Sequence, residues 1–305
     1  MILTYLLFAV GLLGLFFGGE YLVRGASSIA KTYRISPMVI GLTIVGFGTS
    51  APELLVSVQA ALAGQPAIAI GNVLGSNIAN ILLILGVSAV IAPLIIPVRK
   101  LWRDLGFMLL ATAVIWGMLL DGNVTRLDGG LLLVGLFVFI AVAFLTGKAE
   151  PEDKLLPTPP IWKAALMTLG GLVVLVIGAR LLVDSATTMA RTYGISEAVI
   201  GLTIVAVGTS LPELATSVVA ALRKQTEIAV GNIVGSNIFN IFGILGLTAV
   251  IAPIPSEARF VGVDMPWVAA SAVGLTVVAA LLGGLPRIAG VALLAAYGGY
   301  LALMA

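Results

Sequence analysis

Two glutamates, Glu53 and Glu213, stand in the middle of apolar runs, in the segments Gly-Thr-Ser-Ala-Pro-Glu (Gly48 to Glu53) and Gly-Thr-Ser-Leu-Pro-Glu (Gly208 to Glu213). Thr49 and Glu53 are four residues apart and share a helix face, as do Thr209 and Glu213. A proline inside a helix removes one backbone donor and crowds the carbonyl four residues earlier, so Pro52 and Pro212 are expected to leave the carbonyls of Gly48 and Gly208 unpaired. In a bilayer such oxygens are tolerated only where they face protein, water or a ligand. A second pair of segments, GNVLGSNIAN (Gly71 to Asn80) and GNIVGSNIFN (Gly231 to Asn240), sets Ser76 one turn before Asn80 and Ser236 one turn before Asn240. Their glycines allow close approach of neighbouring helices.

Two carboxylates, two amides, several hydroxyls and freed carbonyls are all hard oxygen donors, and the chain contains neither cysteine nor histidine. That set suits Ca²⁺, which takes six to eight oxygens at about 2.3–2.6 Å, or Na⁺, and does not suit copper or zinc. Two glutamates close together repel by about several kcal/mol even at an effective dielectric of about 20. They need roughly two positive charges, from one divalent ion, several Na⁺, or protons, and a site that cannot stay empty and charged is suited to exchange. Competing readings are weaker. A lone glutamate in an apolar run can be interfacial, but these two sit mid-span at matching places. The Gly-Ser pairs alone could be mere helix packing. Asn77 and Asn237, one position past the serines, point elsewhere and are expected to make structural hydrogen bonds.

These segments belong to one large internal repeat. Gly41 to Gly86 and Gly201 to Gly246 are offset by about 160 residues and agree at about 30 of 46 positions. The 305 residues are 60% hydrophobic and 10% charged, with mean hydropathy +1.17, too apolar for a soluble core. The chain reads as an all-α integral membrane protein of ten transmembrane helices, at roughly 2–23, 37–63, 68–92, 102–121, 128–147, 162–183, 196–222, 228–252, 262–283 and 286–304. Residues 148–161, with four prolines between Lys148 and Pro160, form a cytoplasmic linker between five-helix repeats at 1–147 and 162–305. Five spans per repeat is odd, so the second repeat must insert inverted, a design of secondary transporters with a midplane site. Twelve of the sixteen basic residues, including Arg24, Arg103, Lys154 and Arg223, collect on one side, which places both termini outside the cell membrane. The basic residues are scattered over short loops, so no nucleic-acid partner is expected. Glu20 with Arg24, and Arg180 with Asp184, read as interfacial i, i+4 pairs. Gly14 and Gly18 form a GxxxG that could mark a dimer face; the expected state is a monomer or weak homo-oligomer.

At the paired GTSxPE and GNxxGSN motifs, and across essentially all its length, the chain resembles the sodium/calcium exchanger family of calcium/cation antiporters in its short prokaryotic form. The resemblance implies that spans 2, 3, 7 and 8 form the ion-binding core, that spans 1 and 6 slide across it, and that three Na⁺ or one Ca²⁺ bind in alternation. It implies Thr49, Ser50, Glu53, Ser76 and Asn80 as ligands from the first repeat, and Thr209, Ser210, Glu213, Ser236 and Asn240 from the second. Gly46 and Ala206 match positions that contribute backbone carbonyls. Some relatives carry Asp where this chain has Asn240, so potassium dependence is not expected. The leading function is Na⁺/Ca²⁺ antiport, with no enzyme activity and no cofactor beyond the transported ions; H⁺/Ca²⁺ exchange is the alternative, because a buried glutamate pair can also load protons. A passive channel would line an open path with charge, and an intramembrane hydrolase would leave the symmetry unexplained.

Overall fold

Apolar segments with no water to bond must satisfy their backbone internally, and here they do so almost entirely as helix. The computed structural model describes residues 2–95, 98–147, 159–195 and 206–304. The first repeat comprises α1 (Ile2–Tyr33), α2 (Pro37–Thr49), α3 (Ala51–Leu62), α4 (Ala67–Ile91), α5 (Val98–Leu120) and α6 (Arg126–Thr146). The second comprises α7 (Ile161–Thr192), α8 (Ala206–Gly208), α9 (Leu211–Leu222), α10 (Thr226–Ile251), α11 (Phe260–Leu282) and α12 (Arg287–Met304). Among the described residues, eight helices are long and apolar enough to cross a membrane, and α2 with α3 makes a ninth span bent by 46°. The seventh expected span begins in 196–205, which lies outside the described residues, and closes with α8 and α9. Residues 148–158 of the expected linker also lie outside them.

α1 and α7 run on to Tyr33 and Thr192, well past the ends at 23 and 183 that hydropathy suggests. The extensions are polar, yet their hydroxyls bond within the helix: Ser28, Thr32, Thr188 and Thr192 each donate to the carbonyl four residues back at 2.8–2.9 Å.

Four two-residue strands reveal the relation of the halves. β1 (Leu94–Ile95), between α4 and α5, pairs antiparallel with β4 (Gly284–Leu285), between α11 and α12. β2 (Asn123–Val124), at the other end of α5, pairs with β3 (Ile254–Pro255), between α10 and α11. The loop after the third span of one repeat therefore meets the loop after the fourth span of the other, at each end of the molecule. Only an inverted second repeat allows both pairings.

α4 and α10 are the most enclosed helices, with 72% and 83% of their apolar windows buried, against 22% and 28% for α1 and α7. α1 and α7 lie against one another along a glycine seam. A Cβ on Gly18 would stand 2.7 Å from the backbone nitrogen of Leu175, and one on Gly171 would stand 2.5 Å from that of Leu22. The GxxxG of Gly14 and Gly18 thus serves a contact within the chain, where a dimer face was one expectation. Glu20 is buried, and it bonds both Arg24 on its own helix (2.5 Å) and Arg223 at the end of α9, whose Nε donates to Oε2 at 2.8 Å. The predicted local pair is therefore half of a three-residue tie between α1 and the core.

Candidate functional site

The GTSxPE segments are where a helix stops and starts again. α2 ends at Thr49, Ser50 leaves helical geometry at φ −83°, ψ 9°, and α3 begins at Ala51 with Glu53 in its first turn; Ser210 at φ −88°, ψ 7° does the same between α8 and α9. The bend comes before the proline. Pro52 and Pro212 sit in the first turn of the new helix, where a missing N–H breaks no intrahelical bond. The expected kink at a mid-helix proline is therefore corrected to a break before it: the Ser50 N–H donates to the Gly46 carbonyl at 3.1 Å and the Ser210 N–H to the Val207 carbonyl at 3.1 Å, and neither proline has an N–H to offer the carbonyl of Gly48 or Gly208. Glu53 and Glu213, in the first turns, also face the positive ends of two helix dipoles.

The breaks of the two repeats interlock. Ser50 Oγ donates to Glu213 Oε1 at 2.8 Å, and Ser210 Oγ donates to Glu53 Oε1 at 3.3 Å, each serine serving the glutamate of the other repeat. Thr49 lies beside Glu213 and Thr209 beside Glu53. Thr49 Oγ1 is within reach of the carbonyls of Val45 (3.1 Å) and Gly46 (3.3 Å), and Ser236 Oγ donates to the Gly46 carbonyl at 3.2 Å. A hydroxyl that donates its one hydrogen to a carbonyl keeps its lone pairs for another partner. Ser76 is buried one turn before Asn80, and Ala206 opens α8.

Asn80 and Asn240 lie where α4 and α10 widen into π-helical turns, Asn80–Leu85 and Phe239–Leu245. Such turns insert a residue into the helix and re-aim its neighbours, and they recur at functional sites. Asn80 Nδ2 donates to Asn237 Oδ1 and Asn240 Nδ2 to Asn77 Oδ1, both at 3.0 Å. The expected hydrogen-bonding role of Asn77 and Asn237 is what these contacts describe.

Within the Glu53, Glu213, Asn80 and Asn240 cluster, four acceptor oxygens are left over. Glu53 Oε2, Glu213 Oε2, Asn80 Oδ1 and Asn240 Oδ1 are buried with no hydrogen-bond partner. A buried acceptor without a donor costs about 1–3 kcal/mol, and more when charged. Among the described residues no lysine or arginine pairs with either glutamate. Acceptor oxygens of this kind are what a hard cation takes as ligands.

Two residues of this cluster were not expected. Asn232 accepts from Thr49 Oγ1 (3.1 Å) and donates to the Glu213 carbonyl (3.3 Å) and to Ser217 Oγ (2.9 Å). Asn72 repeats this in the first half, donating to the Glu53 carbonyl (3.1 Å) and to Ser57 Oγ (2.9 Å). The signal lay in the repeat, where the asparagine after the first glycine of GNxxGSN and the serine four residues after each glutamate recur in both copies.

The family model described as sodium/calcium exchanger protein matches residues 3–145 and, a second time, 163–305. The chain is 41% identical over 312 residues to the putative antiporter CaxA of Alkalimonas amylolytica, covering 98% of each chain. It is 34% identical over 294 residues to the sodium/calcium exchanger MaX1 of Methanosarcina acetivorans, covering 82% of this chain and 84% of that one. In structure it is similar to the sodium-calcium exchanger NCX_Mj soaked with zero Na⁺ and Ca²⁺, with a TM-score of 0.89 and 34% identity, covering 100% of this chain and 99% of that chain.

Proposed function

The chain belongs to the sodium/calcium exchanger protein family, and we propose that it exchanges Na⁺ for Ca²⁺ across the cell membrane by alternating access to the one site between its repeats. It is a multi-pass membrane transporter and not an enzyme. The observation that carries the reading is the set of four buried acceptor oxygens without donors, two from each repeat. Two carboxylates in a dry site match the two charges of Ca²⁺; Na⁺ ions reproduce that neutralisation when Ca²⁺ leaves, so the site trades one load for the other.

The ligands are Glu53, Glu213, Asn80, Asn240, the hydroxyls of Thr49, Ser50, Ser76, Thr209, Ser210 and Ser236, and the carbonyls of Gly46 and Ala206. With three Na⁺ against one Ca²⁺, each cycle moves one net charge. The repeats at 1–147 and 162–305 are joined by the cytoplasmic segment 148–161, both termini lie outside, and α1 with α7 closes over the breaks. Leu172 on α7 packs on Gly48, and Val183 packs on Gly208.

The test is ⁴⁵Ca²⁺ uptake by proteoliposomes. Uptake driven by an outward Na⁺ gradient, unchanged by K⁺, supports the reading. Uptake driven by a pH gradient and indifferent to Na⁺ replaces it with H⁺/Ca²⁺ exchange, and no gradient-driven uptake overturns both.

A further inference from the structure

The four asparagines of the GNxxGSN segments close into a ring across the repeat interface. Asn77 Nδ2 donates to the backbone carbonyl of Asn237 at 3.3 Å, and Asn237 Nδ2 returns the bond to the carbonyl of Asn77 at 3.2 Å. That exchange fixes both amides. It leaves Asn77 Oδ1 to accept from Asn240 Nδ2 and Asn237 Oδ1 to accept from Asn80 Nδ2, at 3.0 Å each. All four residues are about 1% exposed.

The two ends of an amide are alike in size and opposite in polarity, so shape alone cannot decide which way a buried asparagine faces. Its partners decide. With their nitrogens held by the ring, Asn80 and Asn240 turn out their oxygens, and both oxygens are buried and without a donor. Reversed, either amide would set its nitrogen against the site and its oxygen against another oxygen. A site meant for cations must prevent that reversal, and no other hydrogen-bond partner of either nitrogen is present among the described residues.

We infer that Asn77 and Asn237 are positioning residues of the ion site, each setting the amide polarity of the ion-facing asparagine in the opposite repeat: Asn77 that of Asn240, and Asn237 that of Asn80. This rests on the exchange function proposed above and adds to it a reason why neither repeat can present a cation site alone. The arrangement also has a sign that mere structural support lacks. A carboxylate has no polarity to set, since both its oxygens accept. With Asp at position 240, Asn77 Oδ1 would face an acceptor, and the residue that helps an amide would oppose a carboxylate.

The experiment is Ca²⁺ binding to purified full-length protein, by calorimetry, for the wild type, Asn77→Leu, Asn240→Asp and the double variant. Leucine keeps the branched heavy-atom outline of asparagine, though it is bulkier, and removes its polar atoms. In the native background Asn77→Leu is expected to weaken Ca²⁺ binding by about tenfold, the scale of one lost oriented hydrogen bond. In the Asn240→Asp background it is expected to strengthen binding, a reversal that a double-mutant cycle reads directly. Asn237→Leu must still weaken binding in the Asn240→Asp background, because Asn80 remains an amide. Equal losses from Asn77→Leu in both backgrounds would mean that Asn77 only supports the fold, and would overturn the inference. The symmetry-related set, Asn237→Leu with Asn80→Asp, supplies a second cycle if Asn77→Leu does not fold, and the same pattern is required of it. A wild-type protein that binds neither Ca²⁺ nor Na⁺ would sink the exchange reading itself, whereas a binding wild type with equal losses sinks only the assignment of Asn77 and Asn237.

Discussion

Glu53 and Glu213 each have one oxygen held by a serine of the other repeat and the other buried without a hydrogen-bond partner. Glutamine keeps their shape and their serine bond but deletes one of the two negative charges that neutralise a divalent ion. Glu53→Gln and Glu213→Gln are each predicted to reduce Ca²⁺ uptake by at least about a hundredfold, on the scale of one lost charge interaction in a buried site, while the protein remains monodisperse in detergent. Normal uptake by either variant would remove that glutamate from the site. Ser50 and Ser210 act one step earlier, since each donates to the glutamate across the interface and so turns its free oxygen. Ser50→Ala is predicted to weaken apparent Ca²⁺ affinity by about tenfold, the value of a hydrogen bond to a charged group; an unchanged concentration dependence of uptake would show that the 2.8 Å contact does not matter to the ion.

At the scale of elements, the seam between α1 and α7 depends on backbone approaching backbone. A Cβ on Gly18 meets the Leu175 nitrogen at 2.7 Å and the Gly171 carbonyl at 2.9 Å, atoms that cannot step aside as a flexible side chain would. Gly18→Val should cost about 1–3 kcal/mol by overpacking and lower the melting temperature in detergent. Gly298→Ala, where a Cβ meets nothing within 4 Å, should not lower it, and equal melting of the two variants would contradict the seam. The tie from Glu20 to Arg24 and Arg223 joins α1 to the end of α9. Applying the repeat offset, Glu20 corresponds to Arg180, Arg24 to Asp184 and Arg223 to Ala63; the charges recur reversed, but the expected Arg180–Asp184 pair is corrected, since among the described residues the two form no ion pair and the third member is absent. Arg223 is half-exposed, so the tie is worth less than a fully buried pair, about 1–2 kcal/mol after screening. Glu20→Gln is predicted to lower the melting temperature, and adding Arg223→Gln should lower it little further, because the two changes remove one interaction. Additive losses would show that the residues act separately.

Over the whole molecule, two inverted repeats share the site but not the charge of their surroundings. In the orientation proposed above the excess of Lys and Arg lies on the cytoplasmic side, and the strand pairs place the β1–β4 and β2–β3 ribbons at opposite ends. The chain has no native cysteine. Single variants Lys224→Cys and Asp121→Cys, both at exposed positions, can therefore be probed in intact cells with a membrane-impermeant maleimide. Asp121→Cys is predicted to react from outside, and Lys224→Cys only after the membrane is opened. The reverse pattern would invert the orientation and with it the side on which Ca²⁺ is released.

By itself the sequence determined the membrane setting, the repeat, the odd number of spans that forces inversion, and the oxygen-only donor set. Each of these is carried by residue type, by local spacing, or by a comparison of the chain with itself. It also singled out Glu53 and Glu213, because a carboxylate in an uncharged span has few uses other than function. Only the tertiary structure decided which groups meet. That Ser50 serves Glu213 and Ser210 serves Glu53, that the helices break at Ser50 and Ser210 before the prolines, and that Asn77 and Asn237 hold the amides of Asn240 and Asn80 are matters of partners some 160 residues apart. Residue type says what a side chain can bond, and helical periodicity says which face it occupies. The choice among equally competent partners is made where two inverted repeats pack, because the burial that removes water there leaves each polar atom only the partners that the packing brings within about 3 Å.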